Sequence, residues 1–214
     1  LKQLVSLVRQ GAAGMELALP ESAVDQLASY LDLLVKWNKV YNLTAIRGDE
    51  KLVSHHLLDS LAVVRHLPDG NLLDVGSGAG LPGIPIAISC PGRAVTLVDS
   101  SQKKAAFLKQ AVAELGLATV RVVTGRVEFY QPEELFRTVI ARAFSDLADF
   151  VGLAGHLCAP DGVMVAMKGI RPGDEIAKLP SSWKVKEIVP LKIPYLEASR
   201  HLVFMQSDAT TVAS

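Results

Sequence analysis

Leu72-Leu73-Asp74-Val75-Gly76-Ser77-Gly78-Ala79-Gly80-Leu81-Pro82-Gly83-Ile84-Pro85-Ile86-Ala87-Ile88 is the stretch that decides the fold. An apolar run broken only by Asp74 leads into glycines at alternate positions, and an apolar helix follows from Gly83. This predicts a strand, a tight turn and a helix N-terminus in immediate succession. Glycine permits positive φ in such a turn and lets a ligand approach the backbone without a Cβ in the way. The first N–H groups of the helix have no intrahelical partner and suit a polar or anionic ligand. The stretch therefore reads as a nucleotide-like cofactor site.

Downstream the pattern alternates strand and helix. Strands are predicted at about Leu72–Val75, Ala94–Val98, Val120–Thr124, Thr138–Arg142 and Gly162–Lys168, with helices at Gly83–Cys90, Ser101–Leu115 and Asp146–Leu157. The strand runs are continuously apolar, as expected where both faces are covered. Alternation of this kind gives a parallel sheet with right-handed crossovers. After Pro172 the alternation stops. Trp183–Val189 and His201–Gln206 read as an antiparallel pair closing the sheet. The predicted class is α/β: a doubly wound, mostly parallel, seven-stranded Rossmann-like sheet.

Upstream, Leu1 to Pro68 is helical in pattern. Val24, Leu27, Ala28, Leu31, Leu34 and Val35 share one face of a helix that starts near Pro20-Glu21-Ser22 and ends by Asn38 or Val40. Tyr41–Thr44 is a connector, and a third helical region runs from about Glu50 to Leu67. Pro68-Asp69-Gly70 is a turn signal. Residues 1–68 are expected to form a helical N-terminal cap and residues 69–214 a catalytic domain. Leu1 to Gln10 mix charged and apolar residues with a helical period, which reads as helix rather than signal peptide. No apolar run reaches the roughly 18 residues that span a membrane. Cys90 and Cys158, the only cysteines, lie far apart in apolar company. They read as reduced core thiols of a cytoplasmic protein.

The formal net charge is zero, and residues 1–68 carry seven basic against seven acidic side chains. A nucleic-acid partner would therefore have to be met through a local patch rather than a general basic footprint.

Which cofactor the turn takes follows from three features. The glycines are spaced G-x-G-x-G, not the G-x-G-x-x-G of dinucleotide folds. Asp74 precedes the first glycine by two residues. The terminal strand pair is foreign to dinucleotide folds. Asp99 ends the second strand, where a carboxylate accepts hydrogen bonds from ribose hydroxyls. A turn built on Gly76 and Gly78 with two carboxylates suits S-adenosylmethionine, which has no pyrophosphate to cradle. An NAD-linked oxidoreductase is the rival reading of the same turn, because Asp99 serves both ligands. In a third reading Asp99 only caps the next helix.

The residues resemble one family closely. Gly80-Leu81-Pro82-Gly83-Ile84-Pro85 is similar to the first motif of the bacterial ribosomal RNA small subunit methyltransferase G family, also called glucose-inhibited division protein B. Lys36-Trp37-Asn38, Asn42-Leu43-Thr44, His56-Leu57-Leu58-Asp59-Ser60, Val98-Asp99-Ser100, Gly125-Arg126-Val127-Glu128, Arg142-Ala143-Phe144, Lys168-Gly169 and Arg200-His201-Leu202-Val203 match it in order along nearly the whole chain. The resemblance implies methyl transfer from S-adenosylmethionine to N7 of one guanine in 16S rRNA, within the small ribosomal subunit or an assembly intermediate. It also implies cofactor positions: Gly76 and Leu81 at the amino-acid end, Val127 and Glu128 beside the adenine, and Arg142 at the end of the fourth strand. Val127 departs from the alanine that many members carry.

Guanine N7 offers a free lone pair and loses no proton on methylation, so no catalytic base is expected. Lys168, at the end of the fifth strand, is either a phosphate or guanine contact or a lysine in solvent. Arg200, before the last strand, is either an RNA contact or a salt bridge within the hairpin. Trp37 reads as packed rather than base-stacking. His55, His56 and His66 lack the company that a metal site needs. A monomer is the expected state. Two rivals keep the fold: a methyltransferase for another substrate, and a non-catalytic ribosome-binding module.

Overall fold

The computed structural model describes residues 1–144 and 146–208. Ser145 and the last six residues of the predicted second domain lie outside the described residues. Seven strands form one sheet: β1 (Leu72–Val75), β2 (Val95–Asp99), β3 (Val120–Thr124), β4 (Phe136–Arg142), β5 (Cys158–Lys168), β6 (Trp183–Leu191) and β7 (Arg200–Ser207). Their order is β3-β2-β1-β4-β5-β7-β6. The first five are parallel, and β7 runs antiparallel between β5 and β6. The expected architecture is thus realised, with β4 and β5 starting earlier than their apolar runs suggest.

Strand order reverses between β1 and β4, which puts the crevice for a ligand beyond the carboxyl ends of these strands. Register brings the ends of several predicted site residues to that edge. Val75 lies opposite Val98 and Ala141, and Lys168 lies opposite His201.

Among the described residues, eight α-helices accompany the sheet: α1 (Lys2–Gly14), α2 (Glu21–Tyr41), α3 (Asp49–Leu52), α4 (Asp59–Leu61), α5 (Gly83–Ser89), α6 (Gln102–Glu114), α7 (Leu147–Ala154) and α8 (Gly173–Ile176). Helix α2 buries the predicted stripe except for Val35, which is partly buried, and stops at Asn42, which is left-handed at φ 49°. The third helical region is not one continuous helix. A π-helical turn, Val53–Leu58, separates α3 from α4, and a 3₁₀ turn follows at Val64–His66.

Alternate strand residues feed two cores. Leu72, Leu97, Ile140, Val165 and Leu202 join α1 to α6 on one face. Leu73, Val98, Val139, Met164 and Val203 join α7 on the other. The N-terminal helices therefore share a continuous apolar core with the sheet. Trp37 belongs to that core, its ring edge-on to Phe107 at 5.6 Å between centroids. Buried Tyr30 on α2 donates its hydroxyl to the carbonyl of Ala79 at 2.6 Å, which ties the N-terminal helices to the glycine turn. Cys90 and Cys158 are both free thiols.

Helix α5 starts against β1 at unusually short range. A Cβ on Gly83 would lie 2.3 Å from Leu97 Cδ2 and 2.7 Å from Asp74 Oδ2. Gly83→Ala is therefore expected to destabilise the protein by about 1–3 kcal/mol through overpacking, measured as a lower urea midpoint with an unchanged slope.

Candidate functional site

Gly76, Gly78 and Gly80 all take positive φ, at 67°, 59° and 87°. The turn they form is held from inside by Asp74, which is fully buried. Asp74 Oδ2 accepts from the Gly83 N–H at 2.9 Å, and the Ser77 hydroxyl donates to the Asp74 carbonyl. This corrects the expectation of two carboxylates facing the ligand. Asp74 caps the start of α5, and its Oδ1 has no protein partner. Burial pushes its carboxyl up to about 7, against the pull of the Gly83 N–H.

Asp99 is the carboxylate that lines the cleft, though it is only 5% exposed. Its Oδ2 accepts from the Gly78 N–H at 2.8 Å and its Oδ1 from the Ser101 N–H at 2.9 Å. The cap of α6 is Ser101, whose hydroxyl accepts from the Lys104 N–H, so Asp99 is not a mere helix cap. Each carboxylate oxygen keeps acceptor capacity beyond these bonds. Gly76, Asp99, Val127 and Glu128 line one open cleft of about 520 Å³, together with Phe144 and Leu153. Glu128 is braced by Arg126 at 2.6 Å. A Cβ on Gly76 would meet no protein atom within 4 Å: the space in front of this backbone is open. Leu81 is buried behind the turn, its N–H on the Ser77 carbonyl.

Arg142 takes a different place from the other cofactor candidates. Its guanidinium turns to the π-helical turn, donating to the His55 carbonyl at 3.3 Å, Asp59 Oδ2 at 3.3 Å and His56 Nδ1 at 3.0 Å. Arginine has no acceptor, so Nδ1 must carry the lone pair, and Nε2–H donates to Thr44 Oγ1 at 2.7 Å. Burial and Arg142 push His56 down to about 4, which leaves it neutral. Arg200 reaches the same acid from β7, with Nε 3.0 Å from Asp59 Oδ1. Its salt bridge therefore crosses to the N-terminal helices instead of closing the hairpin. Burial raises the Asp59 carboxyl, while Arg142 and Arg200 oppose the rise.

Lys168 is not a solvent lysine. It is 8% exposed and donates to the Phe144 carbonyl at 3.0 Å and Glu175 Oε2 at 2.6 Å. Glu175 also accepts from the Leu147 N–H, so α8 and β5 together hold the chain at Phe144 and Leu147, just after β4. The fold thus gathers Gly76, Asp99, Val127 and Glu128 at one cleft. Arg142 and Arg200 meet farther along the same edge, and Lys168 serves as an internal tie.

The sequence alone assigns no functional role to Asp59, His56 or Phe144. A signal for the first two exists. Leu52, His56, Asp59 and Val63 recur at helical spacing and are all buried, so an acid and a histidine occupy the apolar face.

Two buried groups give opposite pH dependences. The folded pKa of His56 lies below the ordinary value, so its contribution is lost as pH falls from about 6.5 toward about 4. That of Asp74 is raised, so the folded state binds the proton more tightly and loses stability as pH rises from about 4 to about 7. In urea titrations across this range, His56→Gln should gain on the parent as pH falls, and Asp74→Asn should gain as pH rises.

Comparison with known proteins agrees with this geometry. A methyltransferase from Thiobacillus denitrificans, solved in complex with S-adenosyl-L-homocysteine, shares the fold with a TM-score of 0.51 at 14% identity, covering 82% of this chain and 98% of that one. The ribosomal RNA small subunit methyltransferase G of Chromobacterium violaceum is 56% identical over 199 residues, covering 92% of this chain and 95% of the relative. The protein of the same name from Aromatoleum aromaticum is 51% identical over 206 residues, covering 94% and 98%. The GidB family, described as rRNA small subunit methyltransferase G, matches residues 23–203. With four-fifths of its length inside that match, the chain belongs to the GidB family of small-subunit rRNA methyltransferases.

Proposed function

We propose that this chain transfers the methyl group of S-adenosylmethionine to N7 of one guanine in 16S rRNA, presented in the small ribosomal subunit or an assembly intermediate. The observation that carries this reading is the cleft at the β1–β2 edge, where Gly76 leaves backbone open and Asp99 presents a carboxylate. The residues fit the cofactor. Asp99 is the acceptor for ribose hydroxyls, Val127 and Glu128 flank the adenine, and Gly76, Gly78 and Leu81 shape the turn at the amino-acid end. Arg142, held on Asp59 and His56 at the end of β4, completes the cofactor set. The bound cofactor supplies an electrophilic sulfonium methyl.

The chain's own contribution is orientation and charge. Guanine N7 attacks with its in-plane lone pair and releases no proton, so no side chain has to act as a base. Holding the base in line and keeping water out are the terms left for the protein to supply. Residues 1–68 serve as a cap over the methyltransferase domain of residues 69–214. Arg200 is the substrate-side arginine. Lys168, bound to Glu175, acts on the substrate side by holding the Phe144 carbonyl rather than by touching RNA. The protein works in the cytoplasm as a monomer.

The reading is tested by incubating the protein with small ribosomal subunits, naked 16S rRNA and methyl-labelled S-adenosylmethionine. Nucleoside digests should place the label in 7-methylguanosine. Label in no nucleoside of either substrate would refute the assignment. Arg142→Ala should weaken S-adenosylmethionine binding about tenfold or more, the loss of a charged hydrogen bond, measured by calorimetry. Unchanged affinity with abolished turnover would move Arg142 out of the cofactor site.

A further inference from the structure

The chain has no net charge, yet an RNA substrate is a polyanion. The positive charge that meets it must be local, and the seam between the N-terminal helices and the sheet holds one such concentration. Asp59 is 3% exposed and takes a different arginine on each carboxylate oxygen, Arg200 on Oδ1 and Arg142 on Oδ2. The neutral His56 adds no charge. Two guanidinium charges against one carboxylate leave one positive charge.

The donors of the two arginines are not exhausted. Arg200 Nε is on Asp59 and Nη1 on the Ser199 carbonyl; Nη2 makes no bond among the described residues. Arg142 commits Nη1 and Nη2 and leaves Nε. Their side chains are 22% and 24% exposed, so water or a ligand reaches them. An open groove between His55 and residues Tyr195, Leu196, Glu197 and Ala198 lies alongside, and the His55 carbonyl is itself an Arg142 partner. Tyr195 is 69% exposed on a left-handed backbone at φ 62°.

We propose that Asp59 is a positioning residue for the reaction: by taking one guanidinium on each oxygen it keeps Arg142 on the cofactor side and presents Arg200 as the seat for an RNA phosphate next to the target base. Arginine suits this task because its planar fork offers several donors, so one edge binds the acid while another remains for phosphate. A carboxylate between two arginines also keeps them from repelling each other apart. The seat lies where the carboxyl end of β4 meets the amino end of the antiparallel β7. The inference rests on the rRNA reading above.

Positioning and simple electrostatics give opposite signs for one substitution, which makes a sharp test. Asp59→Asn raises the local charge from one to two. If charge alone mattered, RNA would bind more tightly. If Asp59 positions the arginines, 16S rRNA binds more weakly despite the added charge. The expected result is a Kd and a KM for small-subunit RNA about tenfold higher, the scale of one charge-assisted hydrogen bond. Binding to RNA as tight as the parent's or tighter, or a lower melting temperature with unchanged Kd for RNA, would overturn the proposal.

Arg200→Gln covers the case in which Asp59→Asn fails to fold. It should shrink the slope of log Kd against log salt by about 0.7–0.9, the value for one phosphate contact, with S-adenosylmethionine affinity unchanged by calorimetry. An unaltered salt slope would overturn the seat. The parent protein separates the two levels of inference. If it neither binds nor methylates small-subunit RNA, the rRNA reading fails. If it does both and the variants do not differ from it, only the seat fails.

Discussion

A carboxylate buried inside a strand-to-helix turn sets the geometry on which the rest of this molecule depends. Asp74 has no exposed surface and receives the Gly83 N–H. That bond closes the exit of β1 onto the entry of α5 over only a few residues. Leu97 leaves no room for a Cβ at Gly83, so strand and helix are in direct contact. Of the positive-φ glycines in the turn between them, Gly76 and Gly78 leave backbone open toward the Asp99 side, while Gly80 packs against Ile84 and Leu108. Asp99 then locks the outer face through the Gly78 N–H. One acid works inside the turn and the other outside it, which explains why two carboxylates bonded to the same turn have different chemistry.

The second organising feature is the seam between the N-terminal helices and the sheet. It is apolar over most of its extent, with one core running from Leu27 and Leu57 to Leu72 and Leu202. Among the polar contacts that interrupt it, two fall at the ligand edge of the sheet. Tyr30 grips the Ala79 carbonyl in the glycine turn, and Asp59 grips Arg142 and Arg200. Buried polar contacts are sensitive to geometry, because an unmatched partner costs more than an apolar contact of the same size. Placed here, they fix the helices against the part of the sheet that meets ligands. The π-helical turn at Val53–Leu58 belongs to the same device, since its His55 carbonyl and His56 ring both face Arg142. Such turns recur at functional sites, where one extra residue re-aims the side chains around it.

Electrostatics follows the same economy. With zero net charge the chain has no long-range basic field to draw in RNA. Lys168, at the β5 end, adds no net charge at this edge because Glu175 pairs with it at 2.6 Å. The uncompensated charge at this edge sits on Arg142 and Arg200, which share one acid.

Much of the architecture was written in local pattern. Continuous apolar runs separated by helical periods determined five parallel strands and their crossovers, and the loss of alternation after Pro172 determined the antiparallel pair. These signals are local because periodicity is a property of neighbouring residues. The glycine spacing and Asp99 likewise determined a cleft for a nucleoside-bearing ligand, since turn chemistry and strand ends lie within a few residues of one another. Tertiary structure decided everything that depends on a partner distant in the chain. Asp74 faces inward because α5 folds back onto β1. Lys168 is buried because α8 brings Glu175 to it. Arg142 and Arg200 meet over Asp59, 83 and 141 residues away along the chain, because the helices close over the sheet edge. A charged side chain announces its type in the sequence, but its function is set by what lies across from it, and only the packed fold determines that.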